Sequence, residues 1–300
     1  MVYTVTVNPS LDYVMSVPFF REGTVCRSSG ESIFPGGKGI NVSIMLERLG
    51  IESRPTGFYA GFSGRELLRL LDGCGLDNGF IEIDGSSRIN VKLRCGGTES
   101  DINAEGPAIP QNAAELIISQ LSGIGEGDLL VLAGSLPKGA AGFYSEIMAA
   151  MPSEARVVVD ASGDAMRSAL TRRPFLVKPN RDELSSLAGR TLESDYDIVC
   201  AARELQSQGA ENVLVSLDKD GALLLCADGG ILRRQAPSGQ LVNSVAAGDS
   251  MVAGFIAGLI RTDGSLEAAL ELAVAAGSAT AFSEWIASAA DVEALMEKTL

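Results

Sequence analysis

The feature that most constrains the fold is the regular alternation of short apolar runs with segments of helical spacing. The apolar runs lie at residues 3–7, 128–134, 155–161, 174–180 and 211–217. Strands that are buried on both faces read as such runs, and parallel strands need a crossover helix between them. The alternation therefore predicts an α/β chain with a largely parallel sheet covered by helices on both faces.

Two regions interrupt this alternation, roughly residues 12–34 and 79–104, where short extended segments meet at glycine and serine turns. We expect them to form a small antiparallel flap beside the main sheet. From about residue 246 onward the spacing is helical. Because no repeat, low-complexity tract or linker divides the chain, residues 1–300 are predicted to form a single domain with these two lid segments.

The chemistry open to the chain is limited by the residues that it lacks. It contains no histidine, and its five cysteines are scattered without a CxxC pair. Zinc sites, disulfide scaffolds and histidine catalysis are therefore disfavoured, which leaves acid and base roles to carboxylates or lysines. The net charge of −14 disfavours nucleic acid and anionic membranes as partners, so an anionic small substrate would need a local basic cluster.

The sequence is that expected of a cytoplasmic protein. No stretch reaches the roughly eighteen consecutive apolar residues of a membrane span. The beginning of the sequence has no basic region ahead of an apolar one, as a secretory signal would have.

Five polar or glycine-rich clusters directly follow predicted strands: NPSLD, GSLPKG, DASGD, KPNRDE and SLDKDG. Open α/β sheets bind their ligands at the carboxyl ends of the strands. Five clusters at that edge predict a site there.

The stretch SVAAGDSMVAGF, residues 244–255, places an acid among small residues ahead of an apolar helix. The N–H groups of residues 246–248 can approach an anion closely, and the dipole of the following helix favours negative charge at the same place. Asp249 could take a proton from a hydroxyl there while those N–H groups stabilise charge on a phosphoryl group. The alternative is that Asp249 is an N-cap of the helix.

Two other glycine-rich stretches lack the common nucleotide fingerprints. FPGGKGIN, residues 34–41, does not have the GxxxxGK(S/T) spacing of a P-loop, and GFYAGFSG, residues 57–64, misses GxGxxG. A dinucleotide-dependent dehydrogenase is therefore disfavoured. Taken alone, PGGKG is typical of a turn with a solvated lysine.

The stretch RINVKLR, residues 88–94, alternates polar with apolar side chains, so a strand here would have one basic and one apolar face. The basic face would carry Arg88, Asn90, Lys92 and Arg94. In so acidic a protein this face is a candidate clamp for an anion. A solvated edge strand that is protected by its charges explains the pattern equally well.

In KPNRDEL, residues 178–184, Asn180 and Glu183 lie three apart at a predicted helix start and therefore share one face. Oxygen ligands so placed could hold a hydrated Mg²⁺. A capping box uses the same two residues, and their spacing does not separate the two interpretations.

Together, PGGKGIN and VNSVAAGDSMVAGF resemble the two signatures of the ribokinase-like (PfkB) carbohydrate kinases. TVNPSLD, GSLP, KPNRDEL and SLDKDGA also fall in that family's order, and the chain is most similar to its 1-phosphofructokinase and tagatose-6-phosphate kinase branch. The resemblance implies a three-layer α/β/α fold with a mostly parallel central sheet and a small antiparallel lid. It further implies ATP and Mg²⁺ as cofactors, with phosphoryl transfer to fructose 1-phosphate as the expected reaction.

The resemblance also implies roles for individual residues. Asp249 would be the general base, and the backbone of Ala246, Ala247 and Gly248 would be the anion hole. The residues implied for the sugar phosphate are Asp12, Gly37, Lys38, Asn41, Arg88, Asn90 and Ser135. Those implied for ATP are Lys178, Asn180, Ser216, Asp218, Gly221 and Gly248, while Glu183 would act on Mg²⁺ indirectly.

Other functions stay open at this point: a tagatose-6-phosphate kinase, a kinase of nucleosides or unphosphorylated sugars with the same fold, and a non-enzymatic sugar-phosphate sensor. A sensor would be expected to lose the base, yet Asp249 is present. An unphosphorylated substrate would not need the basic flap. Because an apolar flap face often pairs with a second subunit, a homodimer through the lid is a candidate assembly.

Three positions depart from the pattern of the family. Ala246 stands at the first glycine of the usual GAGD. Alanine supplies the same N–H to the anion hole provided that its φ is negative, so we expect function to survive. Asp218 stands at a usual glycine, where a carboxylate near a triphosphate has to point away. Glu105 stands at a usual proline, which leaves the role of Asn103 open.

Overall fold

The structure, a computed structural model, describes residues 1–137 and 140–297, so Lys138 and Gly139 of the predicted GSLPKG cluster lie outside the described residues. The strands of the main sheet are β1 (Val2–Thr6), β4 (Ser53–Tyr59), β5 (Gly79–Glu82), β8 (Leu129–Ala133), β9 (Arg156–Asp160), β10 (Leu176–Val177), β11 (Asn212–Ser216), β12 (Ala222–Leu225) and β13 (Ile231–Arg234). The strands of a smaller sheet are β2 (Ser10–Val17), β3 (Gly30–Gly36), β6 (Arg88–Cys95) and β7 (Thr98–Ile102). The helices are α1 (Lys38–Arg48), α2 (Gly61–Gly73), α3 (Ala113–Gln120), α4 (Phe143–Ala150), α5 (Gly163–Leu170), α6 (Arg181–Ala188), α7 (Asp195–Ser207), α8 (Ala247–Arg261), α9 (Leu266–Ala281) and α10 (Ala289–Glu297).

The main sheet has the strand order β13-β12-β11-β10-β9-β8-β1-β4-β5. Neighbouring strands from β11 to β5 run parallel, and β12 and β13 are added antiparallel at one edge. The five apolar runs of the sequence form the five adjacent strands β11, β10, β9, β8 and β1 at the centre. The prediction of an α/β fold with a mostly parallel central sheet is therefore confirmed.

Helices cover both faces of this sheet, because successive residues of a strand point to opposite faces. On β8, Val131 packs in an apolar cluster with α1, α2, α8, α9 and α10, whereas Leu130 and Leu132 pack in a second cluster with α3 to α7. The three layers leave the carboxyl edge of the sheet open to side chains from loops and helix starts. Across residues 1–137 and 140–297, no helix has the length and apolar character needed to span a bilayer.

The smaller sheet, which we call the lid, has the strand order β3-β2-β6-β7. Its outer pairs are antiparallel, while the central pair of β2 with β6 is parallel because a long connection rather than a hairpin joins these strands. Asp12 and Lys92 lie on the inner face of the lid, which borders the beginning of α8. Leu11 and Ile89 lie on the outer face, next to α2.

The lid segment predicted at residues 79–104 is wrong at its beginning. Gly79–Glu82 forms β5, the edge strand of the main sheet, and Phe80 packs against the core beneath it. A run of four residues does not reveal which sheet it joins, since pairing with β4 rather than local pattern decides the outcome. The segment predicted at 12–34 corresponds to β2 and β3, which extend from Ser10 to Gly36.

Candidate active site

The glycine-rich stretch PGGKG brings the start of α1 against the end of β1. A side chain on Gly39 would lie 2.6 Å from Thr6 Oγ1 and 2.9 Å from the carbonyl oxygen of Val5, and Gly37 has a φ of 125°. Both positions therefore require glycine. The close approach places Lys38 and Asn41 at the carboxyl edge of the sheet, so Lys38 is not the solvated lysine of an ordinary turn.

Asp249 lies in the first turn of α8 and is 6% exposed. Asn41 Nδ2 donates a hydrogen bond of 2.8 Å to Asp249 Oδ2. The N-cap of α8 is Ala246, without a side-chain capping bond, so the alternative interpretation of Asp249 as the N-cap is wrong. Its carboxylate faces Asn41 of α1 instead, a residue that is distant in the sequence.

Burial raises the pKa of Asp249 to about 6. The nearby charge of Asp160 raises it as well, whereas Lys38, the Asn41 amide and Lys178 act in the opposite direction. The carboxylate is therefore ionised at neutral pH but more basic than an ordinary aspartate. A general base works best with a pKa in this range.

Asp160, the last residue of β9, is fully buried between two lysines. Lys38 Nζ donates a hydrogen bond of 2.9 Å to Asp160 Oδ1, and Lys178 Nζ lies 3.6 Å from Oδ2. Burial alone would raise the pKa of Asp160, but the charges of Lys178 and Lys38 lower it below its ordinary value. Burial would lower the pKa of Lys38, but Asp160, Asp249 and Glu183 raise it. Lys38 and Asp160 thus stay charged beside Asp249.

The predicted anion hole lies at the start of α8, where Gly248 approaches Lys178. A side chain on Gly248 would lie 3.3 Å from Lys178 Nζ, so glycine allows the ammonium group to lie close to the backbone at the start of α8. Ala246 has a φ of 63°, in the left-handed region. The condition from the sequence, a negative φ that lets Ala246 supply its N–H to the anion hole, is not met. The φ is positive because the chain turns sharply into α8 at this residue.

On the lid, Asp12 and Asn90 lie directly opposite each other on β2 and β6. Asn90 Nδ2 and Ser10 Oγ both donate to Asp12 Oδ1, at 3.0 and 2.7 Å. A side chain on Gly36 would lie 2.6 Å from Asp12. These contacts fix the buried carboxylate of Asp12 on the inner face of the lid.

Arg88 begins β6 and reaches back to the main chain. Its Nε donates to the carbonyl oxygen of Asn8 at 3.1 Å and one of its terminal nitrogens to that of Ala104 at 3.5 Å. Burial lowers the pKa of Arg88. Asn8 Nδ2 in turn donates to the carbonyl oxygen of Glu105 at 2.8 Å, so this corner of the lid is tied together by backbone acceptors.

The inner face of the lid lies close to the start of α8. The cavity between its inner face and the start of α8 has a volume of about 10 Å³, which is room for roughly one water molecule. Phe34 of β3 stacks on Trp285 with ring centroids 4.8 Å apart, and the guanidinium of Arg48 lies 4.9 Å from the centre of the tryptophan ring.

Asn180 and Glu183 form a capping box at the start of α6, the structural alternative for this motif. The Glu183 N–H donates to Asn180 Oδ1 at 2.7 Å, and the Asn180 N–H donates to Glu183 Oε2 at 2.9 Å. The second carboxylate oxygen of Glu183 lies 3.9 Å from Lys38 Nζ. The cap thus holds Glu183 at the edge of the site.

The remaining predicted residues lie on loops at the same edge. Ser216 ends β11 and forms a bridge to Asn180, while Gly221 has a φ of 85° next to the backbone of Arg234. Asp218 is exposed and has a φ of 49°. Ser135 is exposed after β8.

A family model for the "pfkB family carbohydrate kinase" matches residues 6–289. The chain belongs to the pfkB family of carbohydrate kinases. It is 43% identical over 298 residues to a 1-phosphofructokinase of Bacillus subtilis, covering 99% of this chain and 97% of the relative. It is 35% identical over 287 residues to a D-tagatose-1-phosphate kinase of Bacillus licheniformis, covering 95% and 93%. A solved structure of phosphofructokinase-2 from Escherichia coli with substrates and products is 30% identical, with a TM-score of 0.92 and 99% of both chains covered.

The backbone conformation explains why two of the three departing positions usually carry glycine in the pfkB family. Ala246 and Asp218 stand where the family pattern resembled by this chain has glycine, and both have a positive φ. Glycine adopts that conformation without a steric penalty, so the usual glycine at each position has a conformational reason. In this carbohydrate kinase, Ala246 and Asp218 adopt the left-handed conformation at a cost in strain.

Sequence reasoning missed three residues of the site of this carbohydrate kinase. Asp160 was part of the cluster DASGD without a role, although an acid at the end of a buried strand was a usable signal. Lys92 lies on the basic face predicted for residues 88–94, where the sequence alone does not distinguish it from its neighbours. Trp285 and its stack on Phe34 had no local signal, since only the fold brings them together.

Proposed function

We propose that the chain is an ATP-dependent sugar-phosphate kinase that phosphorylates the free primary hydroxyl of fructose 1-phosphate to give fructose 1,6-bisphosphate. The observation that carries this proposal is the Asp249 carboxylate, buried at the start of α8, bonded to Asn41 and shifted to a pKa of about 6. The similarity to 1-phosphofructokinases over nearly the whole chain supports the substrate. We also propose that the chain acts as one domain in the cytoplasm.

In the proposed mechanism, Asp249 accepts the proton of the attacking hydroxyl. Its position in the first turn of α8 lets the backbone N–H groups of Ala247 and Gly248 face the charge that develops on the transferred group. Lys38 and Lys178 add positive charge on the other side, and Asp160 keeps both ammonium groups in place. Phosphoryl transfer needs mostly positioning and charge stabilisation, and this set of residues supplies both without histidine.

ATP and Mg²⁺ fit the residues of this edge. Lys178 Nζ lies close to the backbone of Gly248, so both groups can meet one phosphate group, and Asp160 Oδ2 lacks a hydrogen-bond partner among the described residues. Among residues 1–137 and 140–297 no cluster of three acidic or cysteine side chains could hold a metal directly, which suits an ion that is bound through phosphates and water. When bound, Mg²⁺ would neutralise phosphate charge, and Glu183 would orient its water ligands.

The lid would close over the sugar phosphate. Asp12, Asn90 and Asn41 present polar side chains suited to sugar hydroxyls around the closed cavity. Gly37 and Ser135 are proposed to complete the pocket at the edge of the sheet, and Arg88 to meet the phosphate. Closure would exclude water from Asp249 and so limit ATP hydrolysis.

A substrate panel tests this proposal. ADP release by the purified protein should be measured with fructose 1-phosphate, tagatose 1-phosphate, tagatose 6-phosphate, fructose 6-phosphate, ribose and adenosine. We expect the highest kcat/KM with fructose 1-phosphate. A higher value with a tagatose phosphate would favour the alternative suggested by the Bacillus licheniformis relative, and activity confined to ribose or adenosine would overturn the proposal.

A homodimer through the outer face of the lid is proposed as the assembly. A groove of about 780 Å³ lies between this face and α2, and its lining includes Tyr13, Ile33, Phe62 and Ile89. Ile33 and Phe62 are 47% and 67% exposed, and an exposed apolar patch of this kind marks an interaction surface. Light scattering after gel filtration should give a dimer mass for the wild type and a monomer mass for Ile33→Asp. A wild-type monomer would overturn the assembly but not the activity.

A further inference from the structure

Lys92 is a buried lysine on the inner face of the lid for which no role has been assigned. The residue is 6% exposed, and it lies opposite Val14 of β2 in the sheet. It lines the closed cavity together with Asp12, Asn41 and Ala246. Asn41 is bonded to the Asp249 carboxylate, so a single residue separates the cavity that Lys92 lines from the proposed base.

Lys92 forms an ion pair with Asp101, whose carboxylate is partly exposed and can be displaced by a competing anion. Lys92 Nζ lies 3.2 Å from Asp101 Oδ2, and the side chain of Asp101 is 40% exposed on the edge strand β7. An ammonium group loses much hydration free energy when it is buried. A half-exposed partner at the sheet edge compensates that loss weakly, since water competes for its carboxylate.

Arg88 and Arg94 lie on the same face as Lys92, toward the two ends of β6. Arg88 donates to the backbone carbonyls of Asn8 and Ala104, and Arg94 Nε donates to Glu99 at 2.8 Å. Among the residues that the structure describes, neither arginine lines the closed cavity, whereas Lys92 does. Lysine binds phosphate as a compact point charge, so it suits a small pocket of this kind.

We propose that Lys92 binds the phosphate group that the sugar already carries, and that Asp101 occupies the ammonium group until this phosphate replaces it. The inference rests on the proposed function, because it concerns a substrate with one phosphate at a distance from the reacting hydroxyl. Lys92 then selects phosphorylated over unphosphorylated sugars. Asp101 competes with the substrate, so the two halves of the ion pair have opposite effects on binding.

The test is a calorimetric titration of fructose 1-phosphate and, separately, of MgATP into the wild type, Lys92→Met and Asp101→Asn. Lys92→Met should weaken binding of fructose 1-phosphate tenfold or more, since a hydrogen bond to a charged group is lost, and should leave MgATP binding within twofold. Asp101→Asn should tighten binding of fructose 1-phosphate. Arg94→Met is the matched control, because it breaks the neighbouring ion pair of the same strand, and it should change neither affinity.

The opposite signs separate a binding role from a structural one. If Lys92 merely holds the lid together through Asp101, both substitutions will weaken binding of the sugar phosphate, and the proposal is overturned. Unchanged binding in Lys92→Met overturns it as well. Should Lys92→Met fail to fold, Asp101→Asn alone decides, because weaker or equal binding contradicts the competition.

The same titration distinguishes failure of the inference from failure of the proposed function. The fluorescence of Trp285, the single tryptophan of the chain, provides a second signal because its ring lines the same cavity. If the wild type binds fructose 1-phosphate and Lys92→Met binds it equally well, the inference alone is wrong. Ribose and adenosine are titrated into the wild type as well, and if it binds either of them but not fructose 1-phosphate, both are wrong.

Discussion

Replacing Asp249 with asparagine should make the protein inactive and, at the same time, more stable at alkaline pH. The side chain is buried, and its pKa is raised from the ordinary value of 3.8 to about 6. The folded state therefore binds the proton more tightly than the unfolded chain does, so ionisation at higher pH disfavours folding. Asparagine has nearly the same shape, and Asn41 can turn its amide oxygen toward the new NH₂ group.

The size of the effect follows from the shift in pKa. Two pKa units correspond to about 3 kcal/mol, which is the expected gain in the free energy of unfolding for Asp249→Asn at pH 8. As the pH falls below the folded-state pKa, the wild type becomes protonated and recovers this stability. The gain should shrink to about 1.5 kcal/mol at pH 5 and vanish below the unfolded-state value.

Urea denaturation followed by far-ultraviolet circular dichroism at pH 8 and pH 5 measures this difference. Asp160→Asn is the contrasting variant, because Lys38 and Lys178 hold the pKa of Asp160 down. Its loss leaves the buried Lys178 without its counter-ion and removes one of two carboxylates from Lys38, so it should destabilise the protein by about 3 kcal/mol or more. A less stable Asp249→Asn at pH 8, or a gain that is the same at both pH values, would refute the reasoning.

Three further predictions concern activity and backbone strain. The value of kcat/KM should fall below about pH 6, because Asp249 has to be ionised to accept a proton. Asn41→Leu should move this acid limb of the pH–rate profile to higher pH, since it removes a hydrogen-bond donor to the ionised carboxylate. A limb that does not move in Asn41→Leu would assign it to another group. Arg88→Ala should raise the KM for the sugar phosphate much more than that for ATP, and equal changes in steady-state kinetics would argue against Arg88 at the phosphate. Ala246→Gly should stabilise the fold by up to about 1 kcal/mol, since relief of left-handed strain exceeds the entropy that glycine adds to the unfolded chain. Asp218→Gly should stabilise it less, because aspartate tolerates the left-handed region better than alanine does. A lower stability of Ala246→Gly in urea denaturation would contradict the strain at Ala246.

The central sheet was predictable from the sequence because each of its inner strands is buried on both faces. Continuous apolar runs such as residues 155–161 and 211–217 therefore identified β9 and β11 directly. The edge strand β5 was not predictable in this way. Its four residues carry no pattern that distinguishes the main sheet from the lid, and pairing with β4 decides where it lies.

The site was predictable where chemistry imposes a local motif. PGGKG needs its glycines for the close approach to Thr6, and the glycine before Asp249 allows the close approach of Lys178. The bond between Asn41 and Asp249 joins positions 208 residues apart, and the stack of Phe34 on Trp285 also depends on tertiary packing. The left-handed φ of Ala246 was hidden because alanine, unlike glycine, does not indicate it.

The most direct test of the central claim is the rate of ADP release by wild type and Asp249→Asn with saturating MgATP and fructose 1-phosphate. Loss of a general base lowers turnover by roughly 10²- to 10⁴-fold. We predict fructose 1-phosphate-dependent turnover in the wild type and a loss of that size in the variant, which keeps its fold and its affinity for both substrates. Near-normal turnover in Asp249→Asn, or wild-type ADP release that does not depend on fructose 1-phosphate, would contradict the account.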